Sequence, residues 1–202
     1  MGMFKKRWMR WVGALAVLGL LAGCFIPEKF TAAVAVHKDG SYEFTYDGTL
    51  AHGLALVAEK QGGLSAKDEA DLAGEAVKMQ QDPTMKSVSY EGKGRYKLLV
   101  KKEGKRGETY YFPGAPPGHI FGVVAQPDGT LTIAAPLPDA KGMKDIQALG
   151  VKFDGTLTVT VDSGATVVSD NAQEKPGMLW GGYKWTIKGP DVNPSIVIQP
   201  AK

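Results

Sequence analysis

Hydrolytic and metal chemistry need particular residue types held close together, and this chain offers few of them. Its histidines are His37, His52 and His119, and its one cysteine is Cys24. The serines are Ser41, Ser65, Ser87, Ser89, Ser163, Ser169 and Ser195. None lies in a Gly-x-Ser-x-Gly setting, which would expose a nucleophile on a sharp strand-to-helix turn. His37 belongs to a turn, and His52 and His119 each flank a glycine, so no two histidines stand at zinc-ligand spacing. A carboxylate pair of the glycosidase kind leaves no mark in a sequence. Asp and Glu here fall mainly in turns and along one helical segment, where a solvated role is expected. No cofactor and no metal are expected, and the chain is read as non-enzymatic.

Contact chemistry is better represented. Tyr42, Phe44, Tyr46, Tyr110, Tyr111, Phe112, Trp180, Tyr183 and Trp185 suit either the wall of an apolar ligand pocket or a packed core. Met178, Leu179 and Trp180 lie between glycines in Gly177–Gly182, so an apolar loop tip is expected there, able to touch a membrane or a partner. Lys93, Arg95, Lys97, Lys101, Lys102, Lys105 and Arg106 form a basic run with only Glu103 inside it. On a membrane-tethered domain, Lys101, Lys102, Lys105 and Arg106 could meet anionic headgroups. The simpler expectation is a lysine-protected edge hairpin.

Cys24 follows a segment of a different character. Lys5, Lys6, Arg7 and Arg10 carry no opposing acid, an apolar run extends from Trp11 to Leu21, and small residues close it. A basic start, a short apolar run and a small-residue site make an export signal. The run is shorter than the ~20 residues of a membrane-spanning helix. Leu21-Ala22-Gly23-Cys24 resembles the lipobox of bacterial lipoproteins. The resemblance implies cleavage before Cys24, a diacylglycerol thioether on its sulfur and an acylated amino terminus. Two or more chains anchor stably where one does not. The implied location is the cell envelope. Phe25 stands where an aspartate would signal inner-membrane retention, so the periplasmic face of the outer membrane is favoured in a Gram-negative host, and otherwise the outer face of the plasma membrane.

Four of the 24 basic residues and none of the 21 acids precede Cys24, leaving 20 bases against 21 acids from there on. The basic pI therefore belongs to the leader, and bulk charge gives no case for nucleic acid. Residues 1–23 are expected to be the signal, 24–29 the anchor and a short spacer, and 30–202 one domain large enough to stand without disulfides.

The elements expected to position these groups are mostly strands. Phe30–Val36 and Ser41–Tyr46 flank an Asp39-Gly40 hairpin turn, and the second strand is expected to resume over Thr49–Val57. Ser65 caps a helix running to about Gln81, stopped by Asp82-Pro83. Further strands are expected at 87–90, 95–101, 109–112, 120–125 and 130–134, then a helix over 139–149 closed by Gly150. Val151–Val161, Tyr183–Ile187 and Ser195–Gln199 complete the set, with 171–182 a loop and Asp154-Gly155 a hairpin-type turn. The expected fold is α+β: a mostly antiparallel sheet of about eight or nine strands with two helices packed on one face.

Two segments carry a further likeness, Ala35–Gly48 directly after the lipobox and Gly155–Ile187 with Asn171, Ala172 and Trp185 inside it. Together they resemble bacterial lipoproteins and, more distantly, the mycobacterial LppM-type lipoprotein domain. That resemblance implies strands packed with two helices and a link to glycolipid binding. The C-terminal membrane segment of the mycobacterial protein has no counterpart here, and no binding residue carries over. The function expected is a non-catalytic module binding a lipid or other apolar envelope component. The alternative is an interaction protein docking to an envelope assembly. The partners are then the membrane, through Cys24, and a lipid ligand or an envelope protein.

Overall fold

Alternation sets the architecture. Tyr42, Phe44, Tyr46 and Leu50 share one face of a strand, and all are essentially inaccessible. In the computed structural model, which describes residues 25–177 and 181–201, that strand is β2 (Tyr42–His52). It pairs antiparallel with β1 (Phe25–Val36) and with β4 (Arg95–Gly104). With β3 (Met85–Gly92), β8 (Asp154–Val161) and β10 (Tyr183–Ile187) they form a six-stranded sheet of order β10-β8-β1-β2-β4-β3. Within it, β1 and β8 run parallel. The second sheet has order β5-β6-β7-β11-β9. Its strands are β5 (Tyr110–Phe112), β6 (Phe121–Ala125), β7 (Leu131–Ala134), β9 (Thr166–Asp170) and β11 (Ser195–Gln199), all antiparallel.

The α+β class and the mostly antiparallel pairing stand. The count does not: the described residues hold eleven strands in two sheets and three helices. The inner faces of the two sheets meet through aromatic pairs. Phe44 packs on Phe112 and Phe121, and Tyr46 lies 4.6 Å from Phe112 between ring centres. Asn171 joins the sheets at one edge. Its Oδ1 accepts from Trp185 Nε1 and from the Ser195 amide, both at 2.9 Å, and its Nδ2 donates to the Asn193 carbonyl.

The helices occupy more than one side. Helix α2 (Ala66–Met79) has the expected capping box, with Ser65 and Asp68 satisfying each other's backbone amides. It packs on β3 and is tied to the inner face of β4 by Tyr96, whose hydroxyl donates to the Leu72 carbonyl and Glu75. Helix α1 (Gly53–Lys60) replaces the expected continuation of β2. Its sequence, Leu54 to Lys60, is a run of good helix formers, and His52 Nδ1 accepts from the Ala55 amide. Helix α3 (Ala140–Leu149) ends at Gly150, whose φ of 70° is the left-handed cap expected from the sequence. Ile26, Ala51 and Leu56 make a small second core with Ile146, Leu149, Val151 and Phe153. Ala51 points opposite to Leu50, so this cluster covers the outer face of the large sheet. The expectation of two helices on one face is corrected accordingly.

Two glycines serve a purpose the sequence does not announce. Phe30 pairs with Gly48 on one side and Gly155 on the other. A Cβ on Gly48 would lie 2.3 Å from the Phe30 Cβ, and one on Gly155 would lie 2.2 Å from its ring. The Phe30 ring, stacked on Tyr46 and edge-on to Phe121, fits only because both neighbours lack side chains. Asp154-Gly155 is therefore the start of β8 and not a turn. Asp39-Gly40 and Asp128-Gly129 are turns, each Asp Oδ1 accepting from the amide and hydroxyl two residues on.

Candidate functional site

Among the described residues, the three histidines lie in separate places. His37 Nδ1 lies 3.1 Å from Asp162 Oδ2, an exposed contact between the ends of β1 and β8. It resembles the base and acid of a triad, but the structure brings no serine hydroxyl to His37 as a third member. Ser41, the near neighbour, spends its hydroxyl on Asp39. His52 caps α1, at the other end of the large sheet. His119 sits edge-on to Tyr111 with its Nδ1 buried and unpartnered, and burial lowers its pKa. Among the described residues no group of three His, Cys, Asp or Glu is placed to hold a metal ion.

The aromatic residues divide clearly. Tyr42, Phe44, Tyr46, Phe112 and Trp185 are each at most 1% exposed and form the sandwich interior. Tyr110 and Tyr183 pack against that interior from its rim. Concavities lie at its margins. An open groove of about 430 Å³ runs between α2 and the edge strand β3, lined by Ala73, Ala76, Val77, Gln80, Gln81, Val88 and Tyr90. Gln80 bridges it, donating to the Met85 carbonyl and accepting from the Val88 amide. A smaller hollow of about 250 Å³ lies at the β8–β10 edge, between Val161, Val167, Pro176 and Tyr183. Sequence reasoning names none of the residues lining the α2–β3 groove as a ligand wall. Val77, an apolar residue of α2, is left 67% exposed beside it.

The basic run looks different once folded. Lys101 is shared between Glu43 at 3.4 Å and Glu103 at 3.8 Å, and Lys102 pairs with Glu108 at 2.6 Å. The same Glu108 accepts from the Lys105 amide, and the Lys102 bond holds its carboxyl below the ordinary value. Arg106 donates to the carbonyls of Asp39 and Ala201. Lys97 pairs with Asp47, and Arg95 makes a two-pronged bond to Glu28. Glu103 is thus one of several opposing acids, the rest arriving from β1, β2 and the turn after β4. A run that reads as basic in one dimension is largely neutralised in three.

The run extends along the whole of β4, so its two ends lie at opposite ends of the large sheet. Phe25 pairs with His52, and Ala51 pairs with Arg95 at the start of β4. Gly104, at the other end of β4, pairs with Tyr42. At ~3.3 Å per residue, those ends are about 30 Å apart. Lys105 and Arg106 therefore sit at the end of the sheet remote from Phe25. Cys24, Met178, Leu179 and Trp180 lie outside the described residues. Pro27–Lys29, expected to be a short spacer, lies within the first part of β1.

No protein-family model matches the chain, and no curated protein matches it. Among solved structures, the NMR structure of the folded domain of Mycobacterium tuberculosis LppM is similar over 88% of this chain and 91% of that one, at 14% identity and a TM-score of 0.33. No functional residue transfers from it to this chain.

Proposed function

We propose that this chain is a lipid-anchored protein of the cell envelope whose domain acts without catalysis, by docking its surface to another envelope protein. The anchor rests on Leu21-Ala22-Gly23-Cys24 after a short apolar run. The observation that favours docking over ligand enclosure is that Tyr42, Phe44, Tyr46, Phe112 and Trp185, suited to a pocket wall, are buried together in one packed cluster. The outer membrane, periplasmic side, is the favoured location in a Gram-negative host.

Photo-crosslinking in growing cells tests this, with a reporter at exposed Val77 and another at exposed Val168. A discrete adduct with one protein, from either position and absent from the other, supports docking. No protein adduct from either position refutes it. A second reading has its own observation. The α2–β3 groove, apolar at Ala73, Ala76, Val77 and Val88, is the place between helix and sheet where a lipid chain would bind. Native mass spectrometry of the gently purified protein, incubated with envelope lipid extract, would then show a lipid adduct that Val77→Glu removes.

A further inference from the structure

Phe25, the residue after Cys24, is already held in the fold. It pairs with His52, and its ring lies edge-on to His52 at 5.7 Å and to Tyr96 at 5.8 Å. Ile26, next along, is 3% exposed and pairs with Ala51. One residue of chain spans at most ~3.6 Å. An anchor on Cys24 therefore has no linker with which to stand off from the domain.

Resting on the lipid-anchor reading above, we propose that the Phe25 end of the six-stranded sheet is a membrane-contact face, seated on the headgroups of the leaflet that holds the anchor. Three segments meet at that end: the start of β1, the His52–Gly53 junction between β2 and α1, and the tip of the β3–β4 hairpin. The His52 amide donates to the Gly94 carbonyl at 2.7 Å, which brings the last two together. The tip is rigid. Tyr90 donates to Glu69, the Gly94 amide donates to the Tyr90 hydroxyl, and the Lys93 amide donates to Glu69. Gly94 has no room for a Cβ, which would fall 2.2 Å from that of Ala55. Lys93 is displayed from this tip with its side chain 72% exposed, and the carboxylate it approaches, Glu59, is 4.0 Å away. A cation so weakly engaged suits an anionic headgroup, and the tether keeps its effective concentration there high. The strands of the large sheet then lead away from the bilayer. The Asp39-Gly40 turn, Lys105, Arg106 and Ala201 face the compartment, free for a protein partner.

The experiment uses the full chain, purified from membranes and returned to phosphatidylethanolamine–phosphatidylglycerol vesicles containing a headgroup nitroxide lipid. Acylation consumes the Cys24 thiol, so an introduced cysteine is the single fluorophore site. Glu91→Cys and Ser89→Cys report from the hairpin, and Lys105→Cys and Glu103→Cys from the far end; all four positions are exposed. Given the ~30 Å between the ends of β4, quenching about tenfold stronger at 91 and 89 than at 103 and 105 is expected. Equal quenching at both ends, as from a domain lying on its side, overturns the proposal, as does stronger quenching at 105. Mass spectrometry of the amino-terminal peptide from the same sample separates the two failures. Unacylated Cys24 overturns the anchor and the orientation with it. Acylated Cys24 with the wrong quenching pattern overturns the orientation alone.

Discussion

Replacing Gly155 by alanine tests the packing of the sandwich at its tightest point. The new Cβ would stand 2.2 Å from two atoms of the Phe30 ring. Ordinary carbon contacts begin near ~3.5 Å, so the ring would have to move by about 1–2 Å. It has nowhere to go, with Tyr46 stacked at 5.5 Å on one side and Phe121 edge-on at 5.7 Å. Overpacking of this kind costs about 1–3 kcal/mol. The clash is with the far end of a side chain, so trimming that side chain should relieve it. In a Phe30→Leu background, Gly155→Ala should cost at least about 1 kcal/mol less than it does alone, a coupling typical of residues in contact. Gly48→Ala is the control. Its Cβ would meet the Phe30 Cβ at 2.3 Å and the Lys29 carbonyl oxygen at 2.6 Å, and no change of ring relieves a clash with backbone. Equilibrium urea unfolding, with an unchanged slope, reads all of these. A cost for Gly155→Ala below about 0.5 kcal/mol, or one that persists undiminished with Leu at position 30, would refute the argument.

Other outcomes follow from single groups. Tyr42 and Tyr96 are both buried, but only Tyr96 has hydroxyl partners. Tyr96→Phe should therefore destabilise by about 1–2 kcal/mol in urea, while Tyr42→Phe should be neutral or stabilising. Ser65→Ala removes the α2 cap and should cost about 1 kcal/mol by the same measurement. Stability should also respond to acid in two stages. Burial depresses the His119 pKa, so its stabilising neutral form is complete above the ordinary value of 6.5 and the contribution is lost as pH falls through the folded value. The shallow slope this produces below pH 6.5 should vanish in His119→Phe. Asp39, Asp128 and Glu108 are held below their ordinary values by hydrogen bonds from Ser41, Thr130 and Lys102. Their stabilisation is present above the ordinary carboxylate range and lost through the lower folded values, so the steeper fall should begin only below about pH 4.

What the sequence reveals is what is decided locally. The Ser65 cap, the Gly150 stop and the Asp39 and Asp128 turns depend on residues two to four apart, and each is found as expected. The strand after Tyr183 is equally legible, because Trp185 and Ile187 alternate with polar neighbours. Asp154-Gly155 misleads because the need for glycine there is set by Phe30, more than a hundred residues earlier. The split into two sheets is hidden for the same reason. It depends on β11 pairing with β7 and β9, and β9 is a short, mostly exposed edge strand with few apolar residues. Leu54–Val57 reads as the continuation of the strand, although the segment is rich in helix formers, and the His52 cap turns it into helix. The basic run is the clearest case at the functional level. Its counter-ions Glu28, Glu43 and Asp47 lie on β1 and β2, which only the pairing of β1 with β2 and of β2 with β4 brings near. The α2–β3 groove joins a helix face to a sheet edge, and no spacing in the sequence marks it.

The proposed function depends most on Cys24. Its direct test is mass spectrometry of the amino-terminal peptide of the protein isolated from the membrane fraction of its own host or of a lipoprotein-processing host. The expected result is a peptide that begins at Cys24, carries diacylglycerol on the sulfur and is acylated on the new amino terminus. A chain beginning elsewhere, or a free thiol at Cys24 in protein recovered from the soluble fraction, would contradict it.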